Sequence, residues 1–260
     1  MVLKKHIIFV ALVVFAVSMN FALALPLDGY SSFSSREEDE PCEIIVSDAE
    51  KQERLLMRNG MVQTMYRWPN NTVVYNMDSP PFDAAEKDLV ERSLKTIEQV
   101  TCVKFLKRTN EDFYVNLTAN SGCSSQVGYQ GRLQNGPQRL NLSKSGCFSL
   151  GTIVHEFLHA LGFYHMQSAS NRDDFVTIKW ENIQTGKEHN FEKYGANVIT
   201  DFGISYDYLS VMHYSAYAFS SNKEATIEPQ DLAYKNLIGQ RNGLSEKDIA
   251  KINIMYNCPE

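Results

Sequence analysis

The sequence predicts an α+β fold, with strands and one long helix in the first half and loops in the second. Three observations support this prediction. β-Branched or alternating runs, typical of strands, occur at residues 72–76, 113–117 and 139–142. One long helix lies between the first two runs. After residue 166 the chain consists mostly of predicted loops, until a short helix at residues 245–255 that Ser245 opens.

The long helix is supported at its start and along its length. Asp83, with Glu86 three residues later, has the pattern of a capping box, with Asp in the Ser/Thr role. Val90, Leu94 and Ile97 recur at helical spacing, which predicts one buried face. We therefore expect this helix to pack against the core.

Composition and charge exclude several classes of protein. With 43% apolar and 22% charged residues, the 260-residue chain is typical of a globular protein, not of collagen, a coiled coil or a disordered chain. The formal net charge of −6 provides no basic field for phosphate, so we expect no nucleic-acid partner. The 5 cysteines allow two disulfide bonds with one thiol left over.

The N-terminus has the pattern of a secretory signal peptide. Lys4 and Lys5 form a positive region, residues 7–17 are apolar, and the Ala-Leu-Ala at 22–24 is a small-x-small cleavage site. The apolar run is too short for a membrane span, which needs roughly 20 residues. We predict that residues 1–24 are removed and that the mature protein is secreted, with no membrane span and with oxidised cysteines.

Residues 25–58 differ in composition from the domain that follows. Serines lead into an acidic block at 37–40, which favours a solvated linker, and a modest helix is expected over 48–57. Composition leaves two interpretations open: a flexible N-terminal arm, or a pro-segment that is removed by cleavage after Arg58. Because a trypsin-like protease recognises arginine in an exposed segment, we predict a zymogen whose activation leaves the catalytic domain, residues 59–260.

Residues 152–165 read TIVHEFLHALGFYH and predict a zinc site. His155 and His159 are four residues apart, so on a helix both imidazoles leave the same face and can meet one zinc ion. His165 can reach that ion only if the chain turns sharply. Gly162 permits the turn, because glycine tolerates φ > 0 at the end of a helix.

Glu156 lies next to the first ligand, where it can face a zinc-bound water without binding the metal. A short H-E-x-x-H pattern occurs by chance, and a histidine is more often a surface or core residue. The added glycine and third histidine at the required offsets make a chance match much rarer. The whole pattern is the metzincin motif, and it predicts one zinc ion per chain.

A methionine turn follows the zinc motif, as metzincins require. It reads Ser-Val-Met-His-Tyr at 210–214. Together with Arg-Trp-Pro at 67–69, Gly-Thr-Ile-Val at 151–154 and Arg-Asp at 172–173, it resembles the astacin family over about residues 59–258. The resemblance implies a two-subdomain zinc protease, with a mixed sheet and long helices above a cleft and a loop-rich lower subdomain ending in a helix.

The resemblance also implies individual roles. It makes the three histidines zinc ligands and Glu156 the general base of peptide hydrolysis. Tyr214 is matched to the family's switch tyrosine, which can ligate zinc in the resting enzyme and swings away to stabilise the oxyanion when substrate binds; a structural aromatic is the alternative. Met212 is expected to be an apolar floor under the ligands. Protein or peptide substrates are expected along an edge strand, taken to be residues 139–142.

By the same resemblance, Cys102 pairs with Cys258 and Cys123 pairs with Cys147. Spacing alone allows three connectivities and does not choose among them. Cys42 remains in the pro-segment as a free thiol or an intermolecular partner.

Three glycosylation sequons occur, at Asn70, Asn116 and Asn141. The last of them is expected to have the lowest occupancy, because a glycan on the proposed edge strand would crowd the substrate.

The sequence departs from the family at two places. The residue after the third histidine is Met166, where the family has a glutamate that receives the new N-terminus after activation. The inhibitory F-x-G-D of family pro-segments is matched only by Ile-Val-Ser-Asp at 45–48. Asp48 is the favoured residue for capping the zinc, and a Cys42 thiolate, as in related metzincins, is the alternative.

A second class of function is a catalytically silent, zinc-containing secreted binding protein. Loss of the glutamate or of a ligand would favour that class. Glu156 and all three histidines are present, so we favour the endopeptidase.

Overall fold

The computed structural model describes residues 42–44, 60–61, 63–78, 82–134, 136–194 and 200–259. The predicted signal peptide, the helix expected over 48–57, Asp48 and the cleavage site at Arg58 lie outside these ranges. Within the described ranges, we find no helix with the length and apolar character that a membrane crossing requires.

A mixed sheet dominates the first half of the described chain. Its strands are β1 (Glu43–Ile44), β2 (Thr72–Asn76), β3 (Lys104–Lys107), β4 (Val115–Thr118), β5 (Cys123–Ser125) and β6 (Gln138–Leu142). The order across the sheet is β1-β5-β6-β4-β2-β3. Strands β3, β2, β4 and β6 are parallel, β5 is antiparallel to β6, and β1 is parallel to β5.

Three α-helices and a small second sheet complete the regular structure in the described residues. The helices are α1 (Ala84–Val100), α2 (Leu150–Leu161) and α3 (Glu246–Met255). The second sheet pairs β7 (Val176–Ile178) with β8 (Ile227–Pro229) in an antiparallel manner, and the rest of the second half is turns and short 3-10 segments. The structure therefore confirms the α+β class.

Helix α1 forms as the sequence predicts. The Asp83 carboxylate accepts a hydrogen bond from the Glu86 N–H at 2.9 Å, and the Asp83 N–H donates to the Glu86 carboxylate at 2.7 Å. This reciprocal capping box begins the helix. Val90, Leu94 and Ile97 are buried on one face, as their spacing indicates.

The expectation that residues 139–142 form the edge strand is wrong. They belong to β6, which lies between β5 and β4. Residues 140–142 are all buried, as expected for an interior strand. The three-residue β5 lies on one side of β6, and β1 is paired along the other side of β5. The Cys-Ser-Ser sequence of β5 has no alternation of apolar and polar residues that could have revealed a strand.

The apolar core has two parts, in agreement with a two-subdomain fold. One part joins the sheet to α1 and α2 and includes Leu117, Leu140 and Phe157. The other lies in the loop-rich second half and includes Phe191 and Ile227.

Two disulfide bonds connect distant parts of the described chain. Cys102, just after α1, is bonded to Cys258 after α3. Cys123 in β5 is bonded to Cys147 in the loop before α2. Both pairs are those that the family resemblance implies.

Candidate active site

Helix α2 carries the zinc motif and is buried from Gly151 to Leu161. The Ser149 hydroxyl caps its start by accepting a hydrogen bond from the Thr152 N–H at 3.2 Å. A side chain at residue 151 is excluded, because a Cβ there would lie 1.8 Å from the Arg241 carbonyl oxygen. The first two histidines of the motif therefore project from a buried, closely packed helix.

Gly162 ends α2 and redirects the chain toward the third histidine. Its φ of 108° is in the left-handed region, and its N–H donates to the His159 carbonyl oxygen at 2.8 Å. Beyond this turn, His165 Nε2 lies 3.2 Å from His155 Nε2 and 3.1 Å from His159 Nε2. The turn thus brings the three imidazoles together.

The donor set fits a zinc ion. His155 Nδ1 lies 2.7 Å from the Val211 carbonyl oxygen, and His159 Nδ1 lies 2.7 Å from that of Phe163. Because a carbonyl only accepts, each Nδ1 carries the proton and each Nε2 presents a lone pair. Nitrogens about 2.0–2.1 Å from a tetrahedral zinc are roughly 3.3–3.4 Å apart, close to the observed separations. His155, His159 and His165 form a candidate zinc site.

Burial keeps the three imidazoles in the neutral form that binds metal. It lowers the pKa of His159 to about 4 and holds the pKa values of His155 and His165 well below the usual range. The positive charge of Arg241 lowers all three pKa values further.

Glu156 is fully buried beside the zinc ligands, and neither carboxylate oxygen has a hydrogen-bond partner among the described residues. Burial raises the pKa of Glu156 to about 8. The Cys42 thiol and the Arg241 charge pull this pKa down in part, although the thiol does not reach hydrogen-bond geometry with the carboxylate. A buried polar group left without a partner is typical of a place where a ligand or water binds.

Cys42 and Tyr214 lie next to the three histidines and are themselves buried. The Tyr214 hydroxyl donates to the Cys42 carbonyl oxygen at 2.8 Å, and its ring centroid is 4.3 Å from that of His165. Cys42 Sγ and the ligand atoms of His155 and Glu156 all lie within 4.8 Å of one another. The chain continues from Cys42 into β1, so a segment that the sequence assigns to the pro-segment covers the site.

Met212 is buried in the first core, and its carbonyl oxygen accepts a hydrogen bond from the Met166 N–H at 2.9 Å. The methionine turn is thereby fastened to the residue after the third ligand. Arg241 also contacts this turn, since its Nη1 donates to the carbonyl oxygens of Val211 and His213 at 3.0 and 3.1 Å. Sequence reasoning missed Arg241, because no local pattern links it to α2.

Met166 is buried where the resemblance implies a glutamate. The ammonium of Lys251, itself buried on α3, lies 3.5 Å from the Met166 sulfur. The position therefore holds a neutral thioether beside a cation.

The Asn141 side chain is buried and used by the fold. Its Nδ2 donates to three backbone carbonyls, those of Asn120, Ser121 and Gly122, and its Oδ1 accepts from Thr118 and from the Asn120 N–H. A glycan on Asn141 would break these hydrogen bonds. The fold therefore gives a second reason to expect low glycan occupancy at this sequon. By contrast, Asn70 is exposed.

A family profile described as Astacin, a peptidase family, matches residues 60–257. The chain therefore belongs to the astacin family.

Individual relatives agree with this assignment. The chain is 39% identical over 206 residues to zinc metalloproteinase nas-13 of Caenorhabditis elegans, covering 78% of this chain and 44% of that protein. It is 43% identical over 207 residues to embryonic protein UVS.2 of Xenopus laevis, covering 77% and 38%. It therefore spans less than half the length of these two relatives. High choriolytic enzyme 1, a hatching enzyme zinc-protease of the medaka Oryzias latipes, matches with a TM-score of 0.66 and 35% identity, covering 74% of this chain and 94% of that chain.

Proposed function

We propose that the chain is a secreted zinc-dependent endopeptidase in which Glu156 is the general base. One observation carries the proposal: a fully buried carboxylate, without hydrogen-bond partners in the described part of the chain, lies beside three converging imidazoles. A carboxylate in this position is available to deprotonate a water molecule bound at the metal. Membership of a peptidase family supports the same reaction class.

When bound, zinc lowers the pKa of a water ligand toward about 7 and polarises the substrate carbonyl. Glu156 takes a proton from the attacking water and later delivers it to the leaving amine. The reaction needs no covalent enzyme intermediate.

Tyr214 is the proposed donor to the oxyanion. In the structure its hydroxyl already donates to a peptide carbonyl at the site, that of Cys42. A substrate carbonyl in the same place would receive the same hydrogen bond, which strengthens as negative charge develops on the oxygen.

We propose that substrate peptides bind by strand addition to β5. Strand β1 pairs there now, with Glu43 opposite Ser124 and Ile44 opposite Ser125. Main-chain hydrogen bonds of this kind supply affinity without demanding a particular side chain. Departure of β1 would expose the same row of backbone groups to a substrate.

The same contacts support a pro-segment that blocks the site, and they favour Cys42 over Asp48 as the blocking residue. Cys42 lies beside His155 and Glu156, its carbonyl oxygen accepts a hydrogen bond from Tyr214, and the segment that follows it pairs with β5. A thiolate is a good zinc ligand, so Cys42 can fill the position that water needs.

The remaining proposals concern maturation. Residues 1–24 act as a signal peptide and residues 25–58 as a pro-segment. A trypsin-like protease activates the zymogen by cleavage after Arg58. Of the sequons, the exposed Asn70 is the best site for a glycan.

Cleavage-site profiling on a peptide library, with zinc content measured on the same activated sample, tests the proposed function. We expect internal peptide bonds to be cut by a preparation that contains one zinc per chain. A zinc-loaded sample that cuts no peptide would instead support the catalytically silent binding protein.

A further inference from the structure

We infer that Ser210 and Asp248 are positioning residues for the zinc ligand His155, acting through the peptide group that joins Val211 to Met212. The inference rests on the proposed zinc enzyme and concerns residues to which the proposed mechanism gives no part. It connects the first turn of α3 to the metal site by an unbroken series of hydrogen bonds.

The series begins at the buried carboxylate of Asp248. Its Oδ1 accepts a hydrogen bond from the Ser210 hydroxyl at 2.6 Å. Its Oδ2 accepts from the N–H groups of Val211 and Ser245, at 2.9 and 3.1 Å. Ser210 and Asp248 are 1% and 4% exposed, so water does not compete for these bonds.

The series continues through one peptide group. The Ser210 oxygen accepts from the Met212 N–H at 3.0 Å. The carbonyl of the same peptide group, that of Val211, accepts from His155 Nδ1 at 2.7 Å. Hydrogen bonds at the two ends of a peptide group polarise each other, so the serine strengthens the acceptor that faces the histidine.

The expected consequence is a better zinc ligand. An imidazole whose Nδ1 proton is held by a strong acceptor is fixed in orientation and is a stronger base at Nε2. His159 provides an internal comparison, because its Nδ1 faces the Phe163 carbonyl at the same 2.7 Å, on a peptide group that Ser210 does not contact.

The matched control is Ser245. Like Ser210, it is a serine whose hydroxyl donates to a carboxylate, that of Asp207 at 2.5 Å. Its oxygen also caps α3 by accepting from the Asp248 N–H at 2.9 Å. Ser245→Ala therefore weakens the start of α3. It leaves in place the hydrogen bonds that run from Asp248 through Ser210 to Met212.

The test compares Ser210→Ala, Ser210→Cys and Ser245→Ala in the full-length chain. Zinc dissociation constants are measured by competition with a chelator, and the thermal midpoint is measured on zinc-free protein. Removing an outer partner of a ligand typically costs roughly 10–100-fold in metal affinity, and we expect about tenfold for Ser210→Ala because it acts through a peptide. Ser210→Cys has a weaker donor of similar size, so its zinc affinity should lie between those of the wild type and Ser210→Ala. If the alanine variant does not fold, the cysteine variant replaces it in the comparison. Ser245→Ala should lower the thermal midpoint with zinc affinity within about twofold of wild type.

Proton NMR of the zinc-loaded chains gives a second readout. The His155 Nδ1 proton should shift upfield in Ser210→Ala while the His159 Nδ1 proton stays in place. Wild-type affinity in both Ser210 variants, or equal losses in Ser210→Ala and Ser245→Ala, would overturn the inference. If the wild-type chain binds no zinc at all, the proposed function fails instead, so the two failures are distinguishable.

Discussion

The side chains at the zinc site differ in how the fold holds them. His155 and His159 are oriented by backbone carbonyls at their Nδ1 atoms, so both imidazoles are fixed in the Nδ1-protonated tautomer. Within the described ranges, Glu156 has no such partner for either oxygen. This difference agrees with the proposed roles, in which the histidines hold the metal and Glu156 exchanges a proton.

The first prediction concerns Glu156→Gln. The variant should keep its zinc, because the side chain is not a ligand, and should lose about 10²–10⁴-fold or more in kcat, the range of general acid–base catalysis. Zinc content and kcat are measured on the same activated sample. An active glutamine variant would contradict the assigned base, and loss of zinc would make Glu156 a ligand.

The second prediction concerns Tyr214→Phe. The ring is buried against His165, so the variant should fold and bind zinc normally. Without the hydroxyl, kcat should fall by about 10²–10³, as expected for one oxyanion donor. Steady-state kinetics with one peptide substrate decide the matter. Unchanged turnover would mean that the tyrosine only packs.

At the scale of elements, the end of α2 is the critical feature. The helix carries two of the three histidines, and the left-handed turn at Gly162 brings in the third. A Cβ at this residue would meet the Met255 methyl carbon at 2.8 Å, in addition to the strain of a positive φ.

Gly162→Ala should therefore lower both stability and zinc affinity. We expect a loss of more than about 1 kcal/mol in the free energy of unfolding, because alanine disfavours φ > 0. Gly186→Ala is the matched control, since Gly186 also has a positive φ but faces open space. The control should lose stability without losing zinc affinity. Denaturant unfolding and zinc titration of both variants check this, and equal zinc affinity in the two would contradict it.

The elements that sequence predicted well are those whose signal is local. The capping box at Asp83 and the apolar stripe of α1 lie within one segment, and so does the spacing of the zinc motif. Strand β5 was missed because its three small residues show no alternation of apolar and polar side chains. The position of β6 was mistaken because strand order depends on partners distant in sequence. Arg241 was missed for the same reason, since its contacts with residues 211 and 213 exist only in the folded chain.

At the scale of the whole molecule, one segment of the chain covers its own zinc site, with Cys42 beside the ligands and β1 on β5. The sequence favoured Asp48 for the closing role, on a degenerate motif match. Burial of the thiol next to His155 and Glu156 now favours Cys42.

The latency prediction follows from this contact. A Cys42→Ala precursor should cleave peptide before any processing, and a thiol-modifying reagent should activate the wild-type precursor. Asp48→Ala should stay latent and serves as the control. The reverse pattern would transfer the role to Asp48, and latency in both variants would mean that β1 blocks the cleft by its backbone alone. Full activity of the unprocessed wild-type chain would rule out a zymogen.

The central claim is that one zinc ion, held by three histidines, carries the peptidase activity. It is tested most directly by stripping zinc from the activated chain with a chelator and titrating zinc back while peptide cleavage is followed. The account predicts that cleavage disappears, returns in proportion to added zinc, and reaches its plateau at one ion per chain. Cleavage that survives removal of the metal, or that fails to return at one equivalent, would contradict it.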